Sequence, residues 1–179
     1  TCGKPLTGME VNVDLSTASD GKSGELVLRG PFICAGYYAN QPATDTAHDR
    51  DGWFHTGDLG YIDDDGNVMV TGRIKNVIIR SGLNIQAEEV EEILLRHDAI
   101  MHAVVVGKRD DRTGERAIAY LVMRGSKTLS LSEVVAFLEG EGMAKFKWPE
   151  GLVVMEELPV NAAGKFDRIL LRRQLDDVS

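Results

Sequence analysis

The chain has 179 residues, 43% of them apolar and 27% charged, with 20 Lys and Arg against 28 Asp and Glu and a formal charge of −8. That is ordinary globular composition, which excludes a disordered or fibrous chain, and the acidic balance excludes a general nucleic-acid binder, because phosphate contacts need a basic face. The two cysteines, Cys2 and Cys34, have no metal-like or redox-like spacing and are too few for a disulfide scaffold, so a reduced cytoplasmic protein is expected, and no apolar run reaches the roughly 18 residues of a membrane span.

The chain opens TCGKPLTGMEVNV, with alternating apolar residues at once, and reads as the C-terminal part of a longer polypeptide. Met9, Val11 and Val13, then Leu26 and Leu28 in GELVLRG, alternate with polar residues and predict half-buried strands. Residues 16–24 read as a polar loop between them, and FICAGYY (residues 32–38) as a third short apolar run. Asn40 to Arg50 is a polar connection without a convincing period. Trp53-Phe54, a Thr56-Gly57-Asp58 turn and Leu59 to Ile62 lead into Asp63-Asp64-Asp65-Gly66-Asn67, where an Asp-Gly between apolar runs signals a hairpin. The first seventy or so residues are thus a set of short antiparallel strands from a barrel or sandwich.

The character changes between Gly72 and Asn76, which marks the boundary of two structural units. Val77–Ile79 and Leu83–Ile85 form a second hairpin around Ser81-Gly82. Ala87 to His97 is predicted as a helix, with Val90, Ile93, Leu94 and His97 on one side. Glu88 and Glu89 suit its first turn, and Arg96 and His97 its last. Ile100–Gly107 and Arg116–Met123 are strands, and Ser130 and Glu133 have capping-box spacing ahead of a helix that stops near Gly140 and Gly142. A strand at Leu152–Met155, a loop over Pro159–Gly164 and a last helix over Phe166–Leu175 complete a compact α+β unit of about 100 residues, the usual size of a domain.

Two positions, Asp58 and Lys165, carry candidate chemistry on their own terms. Asp58 offers a carboxylate whose two oxygens can accept a vicinal diol such as a ribose; read in isolation it serves equally well as a turn cap. Arg73, after Gly72, brings a rigid multi-donor fork suited to ribose oxygens or phosphate. Lys165, after Gly164 in PVNAAGK, stands among small residues that leave its ammonium little steric company. In a closed site of low dielectric it could stabilise charge on a phosphoryl group, and in water it is a solvated loop lysine. His48, His55, His97 and His102 share no metal spacing, and Asp63 to Asp65 lack the spaced ligands of an EF-hand loop. Neither a nucleophile motif nor a GxxxxGK[ST] or GxGxxG loop occurs in the chain.

Taken together, GELVLRGPFICAGYY, DGWFHTGDLGYIDDDGNVMVTGRIKNVIIRSGLNI, AEEVEEILLRHDAI and ELPVNAAGKFDR, in this order and spacing, resemble the C-terminal third of the acyl-adenylate-forming superfamily. That group holds acyl-CoA synthetases, peptide-synthetase adenylation domains and firefly-type luciferases. The resemblance covers essentially the whole chain. It implies an α+β fold in which residues 1–74 are a β-rich, barrel-like remnant of the large adenylate-forming domain and residues 75–179 a small, mobile C-terminal lid.

The resemblance further implies that Asp58 holds the ribose hydroxyls of ATP and of the acyl-adenylate, with Arg73 supporting the same nucleotide. Lys75 takes the hinge position, Lys165 that of the adenylation lysine, and Gly82 that of the glycine lining the pantetheine path of CoA. The phosphate loop, the acyl pocket and the Mg2+-binding glutamate are expected upstream of Thr1. Leu83 stands where many relatives carry glutamate, and Asn161 where threonine is common; both read as subfamily variation. The implied activity is ATP-dependent ligation of a fatty or aryl acid to CoA through an acyl-AMP. The alternatives are loading of a carrier-protein phosphopantetheine and a non-catalytic lid or interaction module.

Overall fold

The computed structural model describes residues 1–17, 22–125 and 127–176, so the loop expected over residues 16–24 lies partly outside the described residues. Backbone contacts divide the chain into two compact units, Thr1–Lys75 and Asn76–Ser179.

In the first unit, β1 (Glu10–Asp14), β2 (Gly24–Arg29), β3 (Phe54–Ile62) and β4 (Val68–Arg73) form an antiparallel sheet in sequence order. The segment ahead of β1 reaches the opposite edge, where Cys2 N donates to Val68 O at 2.8 Å and Val68 N to Gly3 O at 2.9 Å. The two edges are thereby tied to one piece of chain, and among the described residues the sheet does not close into a barrel. Leu26, Val27, Leu59 and Val68 make its core.

Four expectations for this unit need correction. β2 is buried along Gly24–Val27 rather than on one face only. The run at residues 32–38 is not a strand, and Phe32, Tyr37 and Tyr38 are exposed. The polar connection contains a helix, α1 (Gln41–Ala47), which Asn40 caps by accepting the Ala43 N–H at 3.2 Å and which carries Pro42 in its first turn. It is too short for a hydrophobic period to develop. The Thr56–Asp58 stretch is not a turn between elements but the irregular middle of β3, with Gly57 at φ +71°.

The second unit comprises β5 (Val77–Arg80), β6 (Leu83–Gln86), α2 (Ala87–Leu94), β7 (Ile100–Asp110), β8 (Gly114–Met123), α3 (Leu131–Gly140), β9 (Gly151–Met155) and α4 (Arg168–Asp176). β8 is central: β7 pairs along one side, while β5 and the parallel β9 take different ends of the other. Side chains of β7 and β8 alternate between two cores. Ala103, Val105, Ala119 and Leu121 pack with Val90 and Leu94 of α2 and Val134 and Leu138 of α3. Val104, Val106, Ile118 and Tyr120 pack with Leu171 of α4, and Tyr120 Oη donates to Leu171 O at 3.0 Å. Strands buried on both faces read as near-continuous apolar runs, which is how VVV and AIAYLVM look in sequence.

The capping box forms, with Glu133 N donating to Ser130 Oγ at 3.3 Å and Ser130 N to Glu133 Oε2 at 2.8 Å. α2 ends at Leu94, so Arg96 and His97 lie beyond its last turn. Arg96 instead pairs with Glu92 and with Glu141 after α3. α4 starts at Arg168, because Phe166 bridges back to Val160.

Candidate functional site

Asp58 and Arg73 are direct cross-strand partners on β3 and β4. Arg73 Nε lies 2.8 Å from Asp58 Oδ1, with the side chains 47% and 27% exposed, so a partner from solution can reach both. A carboxylate has about four acceptor positions; one is engaged by Arg73, which leaves capacity for a diol. The guanidinium, half-exposed, has further donors besides the Nε that meets Asp58. These residues therefore fit a nucleotide ribose in chemistry and access.

Asp58 is aimed by unusual backbone. Thr56 Oγ1 donates to Leu26 O at 2.6 Å and accepts the Asp58 N–H at 3.0 Å. The Gly57 N–H goes to Glu25 Oε1 at 2.8 Å, and Glu25 Oε2 meets His55 Nδ1 at 2.9 Å. The β2–β3 register shifts between Glu25 and Val27, and the β3–β4 register between Leu59 and Gly60. Irregularities of this kind re-aim a side chain. Asp14, Glu25 and His55 each bring one potential ligand atom within 4.8 Å of the others. Both Glu25 oxygens and His55 Nδ1 are already engaged, so we assign no metal to the cluster.

Lys75 lies at the exposed centre of a 3-10 turn, Ile74–Asn76. Beside it Asn76 is buried, its Nδ2 donating to Glu88 Oε1 at 2.5 Å. Gly82 forms, with Ser81, the two-residue turn between β5 and β6. The φ values of +51° at Ser81 and +80° at Gly82 are those of a type I′ hairpin turn, and no atom beyond its two chain neighbours lies within 4 Å of where a Gly82 Cβ would stand. Next to this turn is a depression of about 700 Å³, lined by Arg80, Ser81, Leu83, Lys145, Phe146 and Trp148 among others.

Lys165 is exposed on a tightly built loop. Asn161 Oδ1 accepts the Ala163 N–H at 2.9 Å and the Lys165 N–H at 3.1 Å. Asn161 N donates to Lys165 O at 2.7 Å, Gly164 N donates to Asn161 O at 2.9 Å, and Gly164 takes φ +73°. Asn161 thus organises the loop that carries the lysine. Beyond it, Arg168 reaches under α2: its Nη1 and Nη2 each donate to Glu91 at 2.6 Å, and Nη1 also donates to Val105 O at 2.9 Å. Glu91 further accepts the Val105 N–H at 2.5 Å. Burial disfavours the Arg168 charge, but the carboxylates of Glu91 and Glu88 together more than offset this and hold the guanidinium above its usual pKa.

Of the five site residues expected from sequence, Asp58 and Arg73 are brought into contact, with Lys75 close along the chain. Gly82 and Lys165 are presented by separate elements of the second unit, the β5–β6 turn and the loop before α4. Of the supporting residues, Glu25, Glu91 and Arg168 received no role from sequence, His55 was weighed only as a metal ligand, and Asn161 was read as subfamily variation. Only Glu25 left a signal, as an acid inside an apolar strand.

Residues 89–165 match the AMP-binding enzyme C-terminal domain family. The chain is 42% identical over 179 residues to a medium-chain fatty-acid–CoA ligase of Escherichia coli, covering 98% of this chain and 32% of that one. It is 40% identical, with the same coverage, to a salicyl-AMP ligase / salicyl-S-ArCP synthetase of Mycobacterium tuberculosis. It therefore spans about a third of the length of these curated relatives. Among solved structures, ATP-bound MatB from Rhodopseudomonas palustris aligns with a TM-score of 0.88 at 30% identity, covering 98% of this chain and 36% of that one. The apo form of the same protein aligns with a TM-score of 0.65, so the two forms of MatB differ from each other over the matched region. No helix among the described residues is long and apolar enough to cross a membrane.

Proposed function

The chain belongs to the adenylate-forming enzyme family as its C-terminal part, and from that premise we propose that it serves an ATP-dependent carboxylic acid:CoA ligase acting through an acyl-AMP. In the first half-reaction a carboxylate oxygen attacks the α-phosphorus of ATP and the bond to the β-phosphate oxygen breaks, releasing pyrophosphate. In the second, the thiol of CoA attacks the acyl carbon, loses its proton and displaces AMP. The carrying observation is the accessible Asp58–Arg73 pair, which supplies acceptor and donor to the ribose of ATP and of the acyl-AMP. Lys165, on its clamped loop, is assigned to the charge that develops around the α-phosphate. Gly82 is assigned to the pantetheine path, where a side chain would obstruct the thiol arm.

Lys75 is assigned as the pivot on which residues 75–179 turn against residues 1–74 between the half-reactions. A lysine needed only while pyrophosphate leaves can then be withdrawn before the thiol enters. The difference between the ATP-bound and apo forms of MatB supports such alternation. Lys75→Pro, which fixes φ at the pivot, is expected to slow thioester formation at least tenfold more than adenylation, an excess of about 1.4 kcal/mol in barrier. Single-turnover measurement of the two steps checks this, and equal rates for variant and wild type in both would remove the hinge assignment.

The acid, ATP and CoA are the proposed substrates, with Mg2+ held by residues outside this chain and the reaction taking place in the cytoplasm. A second reading rests on the salicyl-AMP ligase / salicyl-S-ArCP synthetase, nearly as similar as the CoA ligase: the acceptor is then a carrier-protein phosphopantetheine. Supplying the full-length enzyme with CoA or with a carrier domain separates the two, and absence of a CoA thioester would sink the first. The chain by itself is expected to act only as a lid. Calorimetry should show no micromolar binding of ATP to residues 1–179, and such binding would refute the view that the main phosphate contacts lie elsewhere.

A further inference from the structure

Glu25 is 6% exposed. A carboxylate at that depth costs several kcal/mol in desolvation unless its oxygens are satisfied, and both are. One takes the backbone N–H of Gly57 and the other the ring of His55. The ring's far nitrogen, Nε2, faces Asp49 Oδ2 at 3.7 Å, and Asp14, at the end of β1, adds a further negative charge to its surroundings. Toward β2, where a regular strand would use ladder hydrogen bonds, Thr56–Asp58 is therefore held by side chains, and Asp58 follows directly on the glycine that Glu25 grips.

We propose that Glu25 and His55 are positioning residues for the nucleotide site: their pair fixes the Gly57 amide and so sets the Asp58 carboxylate in the orientation that a ribose diol requires. The inference rests on the reading of Asp58 as the ribose ligand. A plain packing role would be served better by apolar residues, since replacing a buried ion pair by well-packed hydrophobic side chains is often neutral or stabilising. What an apolar pair cannot do is accept the Gly57 N–H and hold a positive-φ residue in place inside a strand.

The clamp has a pH signature. The hydrogen bond to Glu25 raises the His55 pKa above its ordinary value; burial opposes this, and the charges of Glu25, Asp49 and Asp14 reinforce it. A folded-state pKa above the unfolded value of about 6.5 means that the stabilisation is complete below that value and is lost as pH rises through the folded pKa. The groups that face the ring are Glu25 on β2, Asp49 after α1 and Asp14 on β1.

The test uses the full-length enzyme and acid-dependent ATP–pyrophosphate exchange at varied ATP. Glu25→Ala is expected to raise the KM for ATP about tenfold, the size of one lost charge-assisted hydrogen bond, with a much smaller change in kcat. Glu25→Gln keeps an acceptor for the Gly57 N–H and should restore most of the affinity. The wild type is expected to show a rise of KM between neutral and alkaline pH, and His55→Asn, which keeps a donor to Glu25, should flatten it. Asp58→Asn is the control for the underlying reading. If it raises the KM while Glu25→Ala does not, the positioning role is overturned and the ribose reading stands. If Asp58→Asn leaves the KM unchanged, the ribose reading falls and the inference with it. Failure of Glu25→Gln to recover affinity, with an unfolding transition matching the wild type, would also overturn the inference. In the 179-residue chain, the Gly57 amide resonance is expected to titrate with the His55 ring, and an amide indifferent to that titration would break the proposed link whatever the kinetics.

Discussion

Lys165→Ala in the full-length enzyme is expected to lower acid-dependent ATP–pyrophosphate exchange by about two to three orders of magnitude, the usual loss when one preorganised charge-stabilising donor is removed. Thioester formation from supplied acyl-AMP should stay within a few-fold of the wild type. The expectation follows from how the lysine is held. Its own N–H and that of Ala163 are accepted by Asn161 Oδ1, its carbonyl accepts the Asn161 N–H, and Gly164 turns the chain with φ +73°. The backbone is thus ordered while the ammonium remains exposed, an arrangement suited to delivering a charge to a site formed with other residues. Equal loss in both half-reactions would contradict the assignment of Lys165 to adenylation alone. Retention of exchange activity would contradict any catalytic role.

Arg168→Ala is expected to destabilise the second unit by about 3–5 kcal/mol, the cost of leaving one member of a buried ion pair without its partner. The Arg168 and Glu91 side chains are 22% and 11% exposed. The guanidinium makes two 2.6 Å contacts to the carboxylate and a third to the Val105 carbonyl. This one group therefore ties α2, β7 and α4 together, and it begins α4 directly after the loop that carries Lys165. Urea unfolding followed by the fluorescence of Trp148, whose Nε1 donates to Met143 O within the second unit, measures the loss. The double variant Glu91→Leu with Arg168→Met should recover most of it, because a buried pair can often be exchanged for apolar packing. A single-variant loss below about 1 kcal/mol, the range of an exposed pair, would show that Glu91 and Arg168 are not coupled as the distances indicate.

Lys165 stood out in the sequence because glycine and small residues surround it, and its loop is local, closed within Val160–Phe166. The Asp-Gly-Asn reversal, the Ser81-Gly82 turn and the Ser130 capping box were readable for the same reason: each is satisfied by neighbours along the chain. The readings that failed depended on distant partners or on burial. The apolar run at residues 32–38 has strand-like composition but leaves Phe32 and Tyr38 exposed. α1 is a single capped segment too short for a periodic signal, and Arg96 serves contacts to Glu92 and Glu141 rather than the end of α2.

Spacing, capping and turn chemistry sufficed to read the order of strands and helices in the second unit, whereas the residues for a ribose, a phosphoryl group and a thiol arm were implied by the resemblance of the motifs to adenylate-forming enzymes. What holds those residues in place came from contacts between distant parts of the chain. Glu25 is separated from Gly57 by 32 positions and Glu91 from Arg168 by 77, and nothing local in either segment specifies the other. Buried charges find partners wherever the fold delivers them, since desolvation penalises any other arrangement, and that choice is made by the packed sheet rather than by the adjacent residues.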